Sequence, residues 1–295
     1  MTRQGSTPDR DRPAALRPDQ PLFGLGYAPP LLRRSYVRIG ADQEPVAGES
    51  AVAEEVPVAI VYNGRPHVVM MATPADFEDF AVGFTLAEGI VDKPAAIASL
   101  QVARFSEGVE LQVEIPADAA ERLAARERSF VGRTGCGLCG VQTIRDALRP
   151  VRDVADTGVI RADAIFAAEA ALAERQTWNR ETAAMHGAAW VRQDGEIEVL
   201  REDVGRHNAL DKVIGALYRA GRDPAEGFIL ITSRASYELV QKAATAGIPL
   251  LAAVSRPTGL AIRLAEATGM TLIGLVRGGS GLIYTVPHRV LDGSL

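Results

Sequence analysis

The chain has only two cysteines and four histidines in 295 residues, and aromatic side chains make up 5% of it. A zinc centre built on the two thiols would need two more ligands, yet no histidine forms a second close pair. No apolar run approaches the roughly 18 residues needed to span a bilayer. Residues 1–30 hold six prolines with several Arg and Asp and no apolar signal core, which reads as a disordered lead rather than a signal peptide. A soluble, cytoplasmic protein is expected. Net charge of −5 and a pI near 5.5 argue against bulk binding to nucleic acid. Missing too are a Walker loop, a GxGxxG after a strand, and the HxE and PCxxC signatures of zinc deaminases, since Gly135 precedes Cys136.

What is present is concentrated. Cys136 and Cys139 form a CxxC inside Val131-Gly-Arg-Thr-Gly-Cys-Gly-Leu-Cys-Gly140. A buried structural Cys needs no glycine neighbours, whereas a reactive one needs access and nearby positive charge, which Arg133 could supply. A structural disulfide or half of a zinc site is the competing reading. A thioredoxin-like oxidoreductase would explain the CxxC alone, but the pair lies far from any βαβ start.

Along the chain, strands at 56–62 and 67–72 flank Asn63-Gly64, a hairpin signal. Thr73 is expected to cap a helix with Pro74 at its first position, Phe77, Phe80 and Phe84 on one stripe, and Gly89 as the stop. Strands at 100–105 and 109–115 and a helix near 118–128 complete an α+β lobe over 31–128. In the remainder, 129–295, helices are expected near 141–148 and over 160–176, and a hairpin at 186–201 turns on Asp194-Gly195. That hairpin leads into Arg201-Glu-Asp-Val-Gly-Arg-His-Asn-Ala-Leu-Asp-Lys212. Asp203 and His207 stand out there as groups for a cleft, with helix capping and surface solvation as the alternative. The last third alternates: strand 228–232, helix 235–246, strand 249–254, helix 259–268, strand 270–276. Such alternation predicts an α/β domain with a mainly parallel sheet. Each strand ends in an arginine, Arg234, Arg256 and then Arg277-Gly278-Gly279-Ser280, so one sheet edge would present three guanidinium groups to an anion or nucleotide phosphate. Salt bridging at the rim is the alternative.

The GRTGCGLCG segment, the 202–212 block, Thr232-Ser-Arg-Ala-Ser236 and Leu275-Val-Arg-Gly-Gly-Ser280 occur together and in order. Over about 35–285 the chain resembles the FdhD family of sulfur carriers required for formate dehydrogenase activity. The resemblance implies a three-layer sandwich like that of cytidine deaminases, and a homodimer. It implies a sulfurtransferase: a cysteine desulfurase loads a persulfide on Cys136, with Cys139 its partner, and the sulfur passes to the bis-molybdopterin guanine dinucleotide form of the molybdenum cofactor before it enters formate dehydrogenase. Leu275, Val276, Arg277, Gly278, Gly279 and Ser280 match the family's nucleotide-cofactor segment, and GDP could mimic that cargo. A chaperone that only shelters the cofactor is the alternative; it would keep the arginines and not require Cys136.

Overall fold

The structure is a computed structural model that describes residues 24–41, 43–128 and 151–291. Cys136, Cys139 and the helix expected near 141–148 lie outside the described residues, as do the first 23 residues of the expected lead.

The first element was not anticipated from the sequence. Strands β1 (Leu31–Gly40) and β2 (Gln43–Ala53) pair antiparallel as a separate two-stranded arm. Its Val37, Ile39 and Val46 are exposed, so the alternation that usually marks a half-buried strand has no core behind it. The expected hairpin follows as β3 (Val56–Tyr62) and β4 (Arg65–Ala72). Helix α1 (Phe77–Ala87), β5 (Ser99–Arg104), β6 (Val109–Glu114) and α2 (Ala117–Arg128) complete the first lobe. Its sheet runs β4-β3-β6-β5, with β3 and β6 parallel. Phe77, Phe80 and Phe84 of α1 pack into one core with Val58, Ile60 and Leu111.

Thr73 is not the cap of α1, and Pro74 is not its first residue. The helix begins behind Asp76, whose φ is 55°. Every polar group of Thr73 is taken elsewhere: its N–H donates to Asp203 Oδ2, its carbonyl accepts from Lys212 Nζ, and its hydroxyl accepts from the Val204 N–H.

The second lobe starts with β7 (Ile160–Arg161), which trims the helix expected over 160–176 to α3 (Ala162–Arg175). Then come α4 (Thr177–Thr182), β8 (His186–Arg192), β9 (Ile197–Asp203) and α5 (Arg206–Arg219). β10 (Gly227–Ile231), α6 (Tyr237–Thr245), β11 (Leu250–Ala253), α7 (Gly259–Thr268), β12 (Thr271–Arg277), β13 (Ser280–Thr285) and β14 (Val290–Leu291) follow. The main sheet has the order β13-β12-β11-β10-β8-β9. Parallel pairing holds for β10, β11 and β12, as the alternation predicts. Antiparallel strands flank them on both sides, because β8–β9 and β12–β13 are hairpins and a short turn can only reverse the chain. One face of the sheet is covered by α5, α6 and α7 and the other by α3. The result is the expected three-layer α/β sandwich.

The lobes meet where α1 crosses α5. A Cβ built on Gly83 would lie 1.7 Å from the Asp211 carbonyl oxygen, and one on Gly215 would lie 1.9 Å from that of Asp79. Neither helix can carry a side chain at the crossing, which explains a glycine in mid-helix at a cost of about 1 kcal/mol in propensity. Ion pairs ring the contact. Asp79 is paired with both Arg201 and Arg219, and buried Lys242 lies 2.8 Å from Glu88, just past the end of α1, and 2.9 Å from Asp211 on α5. Gly83→Ala is expected to lower unfolding stability by about 3 kcal/mol through overpacking against backbone. Urea titration measures this, and a shift under about 0.5 kcal/mol would mean the crossing is looser than described.

A candidate anion-binding edge

β10, β11 and β12 run parallel, so their carboxyl ends share one edge of the main sheet. β8 is antiparallel to β10, which brings its first residue, His186, to that same edge; β9 ends there at Asp203, opposite His186. The loops are stitched together by backbone hydrogen bonds. Thr232 N donates to Gly187 O, Thr258 N to Ala235 O, and Leu275 N to Ser255 O, at 3.0, 3.0 and 3.1 Å. Helices α5, α6 and α7 all start at this edge, each following a strand that ends there. Their free N–H groups and dipoles therefore favour negative charge along it.

Arg234, Arg256 and Arg277 are exposed at the three strand ends, and Arg206 is partly exposed at the start of α5. None of the four forms a salt bridge among the described residues, so rim ion pairing does not account for them there. The 275–280 segment divides in two. Leu275 has a φ of 54°, a left-handed conformation that costs a non-glycine residue about 1–2 kcal/mol. The register of β12 against β13 shifts between Gly274 and Arg277, with Val276 buried and Arg277 outward. Gly278 and Gly279, with φ of 57° and 75°, form the two-residue turn into β13, and Ser280 Oγ donates to Arg277 O at 3.0 Å. Positive φ at both positions favours these glycines for the hairpin whether or not a ligand binds.

The dense 201–212 block separates by burial. Asp203 is fully buried: Oδ1 accepts from Gly205 N and Asn208 Nδ2, and Oδ2 accepts from Thr73 N and, at 2.6 Å, from buried Lys212 Nζ. Asp203, expected to contact the cofactor, is without exposed surface in this structure and ties β9 and α5 to the end of β4. Glu202 is buried as well, its two oxygens accepting from Trp178 N and Asn179 N at the start of α4. Only Arg206 and His207 of the block's first turn remain for the edge. His207 Nε2 lies 2.8 Å from Glu238 Oε2 on α6. Burial first, then Arg206 and His207, lower the pKa of half-buried His186.

His186 and Glu238 were missed in the sequence. The signal for His186 was its place at the start of a hairpin strand, but the strand order that carries it to this edge is tertiary. Among the described residues no cluster of His, Cys, Asp or Glu could hold a metal ion, and no helix is long and apolar enough to cross a membrane. A cavity of about 600 Å³ opens at the opposite end of the sheet beside Trp190, and both its arginines are paired, Arg222 with Glu198 and Arg192 with Asp194.

Fold and edge together define an α/β protein whose parallel strands carry, at their carboxyl ends, a cationic rim without salt bridges among the described residues. The model of the FdhD/NarQ family matches residues 53–291. The chain belongs to that family. It is 49% identical over 239 residues to a protein of Bordetella petrii named sulfur carrier protein FdhD, covering 81% of this chain and 86% of that one. It is 46% identical over 278 residues to the Cupriavidus necator protein of the same name, covering 94% of each. A crystal structure of a candidate formate dehydrogenase accessory protein from Desulfotalea psychrophila superposes with a TM-score of 0.72 at 24% identity, covering 89% of this chain and 100% of that one. At that identity it speaks for the fold.

Lys212→Ala would leave Asp203 charged, buried and short of its closest partner. Stability is expected to fall by about 3–5 kcal/mol. Chemical denaturation of the variant measures it, and an unchanged midpoint would show that Asp203 is not the tie described.

Proposed function

We propose that this protein is a sulfur carrier for formate dehydrogenase maturation. It receives a persulfide sulfur on Cys136 from a cysteine desulfurase and delivers it to a molybdopterin guanine dinucleotide cofactor bound along the arginine edge. Family membership across 53–291, with relatives named sulfur carriers, supports the sulfur role. The observation that carries the substrate side is the row of Arg206, Arg234, Arg256 and Arg277, without salt-bridge partners among the described residues, beside three helix starts. A guanine dinucleotide brings several phosphate charges, and guanidinium groups bind phosphate oxygens in pairs. The residues present therefore fit such a cargo.

Cys136 suits the carrier position because glycines flank it and a thiolate is the form that accepts sulfur. Attack by the Cys139 thiolate on the inner sulfur of the Cys136 persulfide releases the outer sulfur as hydrosulfide and leaves a Cys136–Cys139 disulfide. A thiol reductant then restores the pair. A homodimer is part of the proposal.

Mass spectrometry after incubation with a cysteine desulfurase and cysteine is expected to show one added sulfur, about 32 Da, on the wild-type protein and none on Cys136→Ala. That variant should fold normally and fail to mature formate dehydrogenase; full maturation by it would favour the sheltering chaperone instead. Arg277→Ala is expected to weaken GDP binding about tenfold, the loss of one charge-assisted contact. Unchanged affinity by calorimetry would remove Arg277 from the site.

A further inference from the structure

His207 is the second residue of α5, and its Nε2 is claimed twice from α6. Glu238 Oε2 lies 2.8 Å away and Ser236 Oγ 3.5 Å away. A nucleophilic serine with a histidine base needs hydroxyl and carboxylate on opposite ring nitrogens. Here both sit on one nitrogen, so hydrolase chemistry does not follow from the trio. The His207 hydrogen bond lowers the pKa of Glu238 against the opposing effect of burial. An ionised carboxylate only accepts, so Nε2 must carry the hydrogen. The other nitrogen, Nδ1, has no hydrogen-bond partner among the described residues, on a side chain 22% exposed at the arginine edge.

We infer that Glu238 is a positioning residue that locks His207 with its hydrogen on Nε2 and so reserves Nδ1 for the bound nucleotide substrate. The inference rests on the edge being the cofactor site proposed above. Its physical content is that a carboxylate holding one ring nitrogen fixes both the ring plane and the tautomer presented by the other. Without Glu238 the ring keeps only the 3.5 Å approach of Ser236, too long to hold it. Arg206 beside it and His186 on β8 add charge and steric limits but no oxygen acceptor. Glu238 belongs to no motif singled out in the sequence, and only the packing of α6 against α5 brings it to His207.

The test uses the full-length protein and GDP as the probe. In nitrogen NMR spectra the His207 ring should show a protonated Nε2 in the wild type and in Glu238→Gln, whose amide oxygen can still accept. In Glu238→Ala the ring should redistribute between tautomers. GDP affinity should fall about tenfold in Glu238→Ala and return to within about threefold of wild type in Glu238→Gln. In a His207→Ala background, Glu238→Ala should have no further effect, because it acts through the ring. An unchanged ring spectrum in Glu238→Ala, or an equal loss of affinity with and without His207, overturns the inference while leaving the edge as a nucleotide site. Failure of the wild-type protein to bind GDP overturns the cofactor reading and this inference together.

Discussion

The crossing of α1 over α5 is the contact on which the rest of the molecule depends. Gly83 and Gly215 let two backbones approach to a distance at which no side chain fits. That approach makes one body of two sheets that would otherwise be separate. It also explains why α1 is buried nearly all round, with its phenylalanines on the small sheet and its opposite side on α5. Charges taken out of water at such a joint need partners. Asp79 has Arg201 and Arg219, Lys242 has Asp211 and Glu88, and Asp203 has Lys212 with three further donors. Each buried charge is met by more than one partner, so removing one leaves it under-compensated rather than bare.

The same joint holds the candidate site. Asp203 closes the end of β9 onto the start of α5 and reaches across to Thr73 on the other lobe, so the first turn of α5 is fixed from beneath. Arg206 and His207 then stand on a rigid base beside the strand ends that carry Arg234, Arg256 and Arg277. Support and function are thus divided between neighbouring residues: Glu202, Asp203, Asp211 and Lys212 are buried supports, and Arg206 and His207 stay partly exposed at the edge. A site whose charged groups are held by hydrogen-bonded loops loses little order when an anion arrives, which is what favours binding by a preformed edge.

Much of this architecture was legible. Asn63-Gly64 and Asp194-Gly195 marked their hairpins because few dipeptides accept the required φ, and the strand–helix alternation of the last third marked the parallel strands. Other elements were not. The arm formed by β1 and β2 has no buried face, so it has no burial pattern to read. β13 was hidden because Gly278-Gly279 looked like a ligand loop when it is also a hairpin turn. Thr73-Pro74 looked like a helix start, but Asp203 and Lys212, about 130 residues away, engage its backbone more strongly than a local cap would.

By itself the sequence determined the residue chemistry: two thiols in a glycine-rich CxxC, arginines at the ends of successive strands, and the local turns that place them. Those features depend on spacing and on backbone preferences, which are local. Tertiary structure alone decided which polar residues are available to a ligand. Asp203 and His207 look alike in the chain as polar residues of one junction, yet one is sealed by four hydrogen bonds and the other is partly exposed and held through Nε2 from α6. Burial and long-range pairing make that distinction, and both arise only when distant segments pack together.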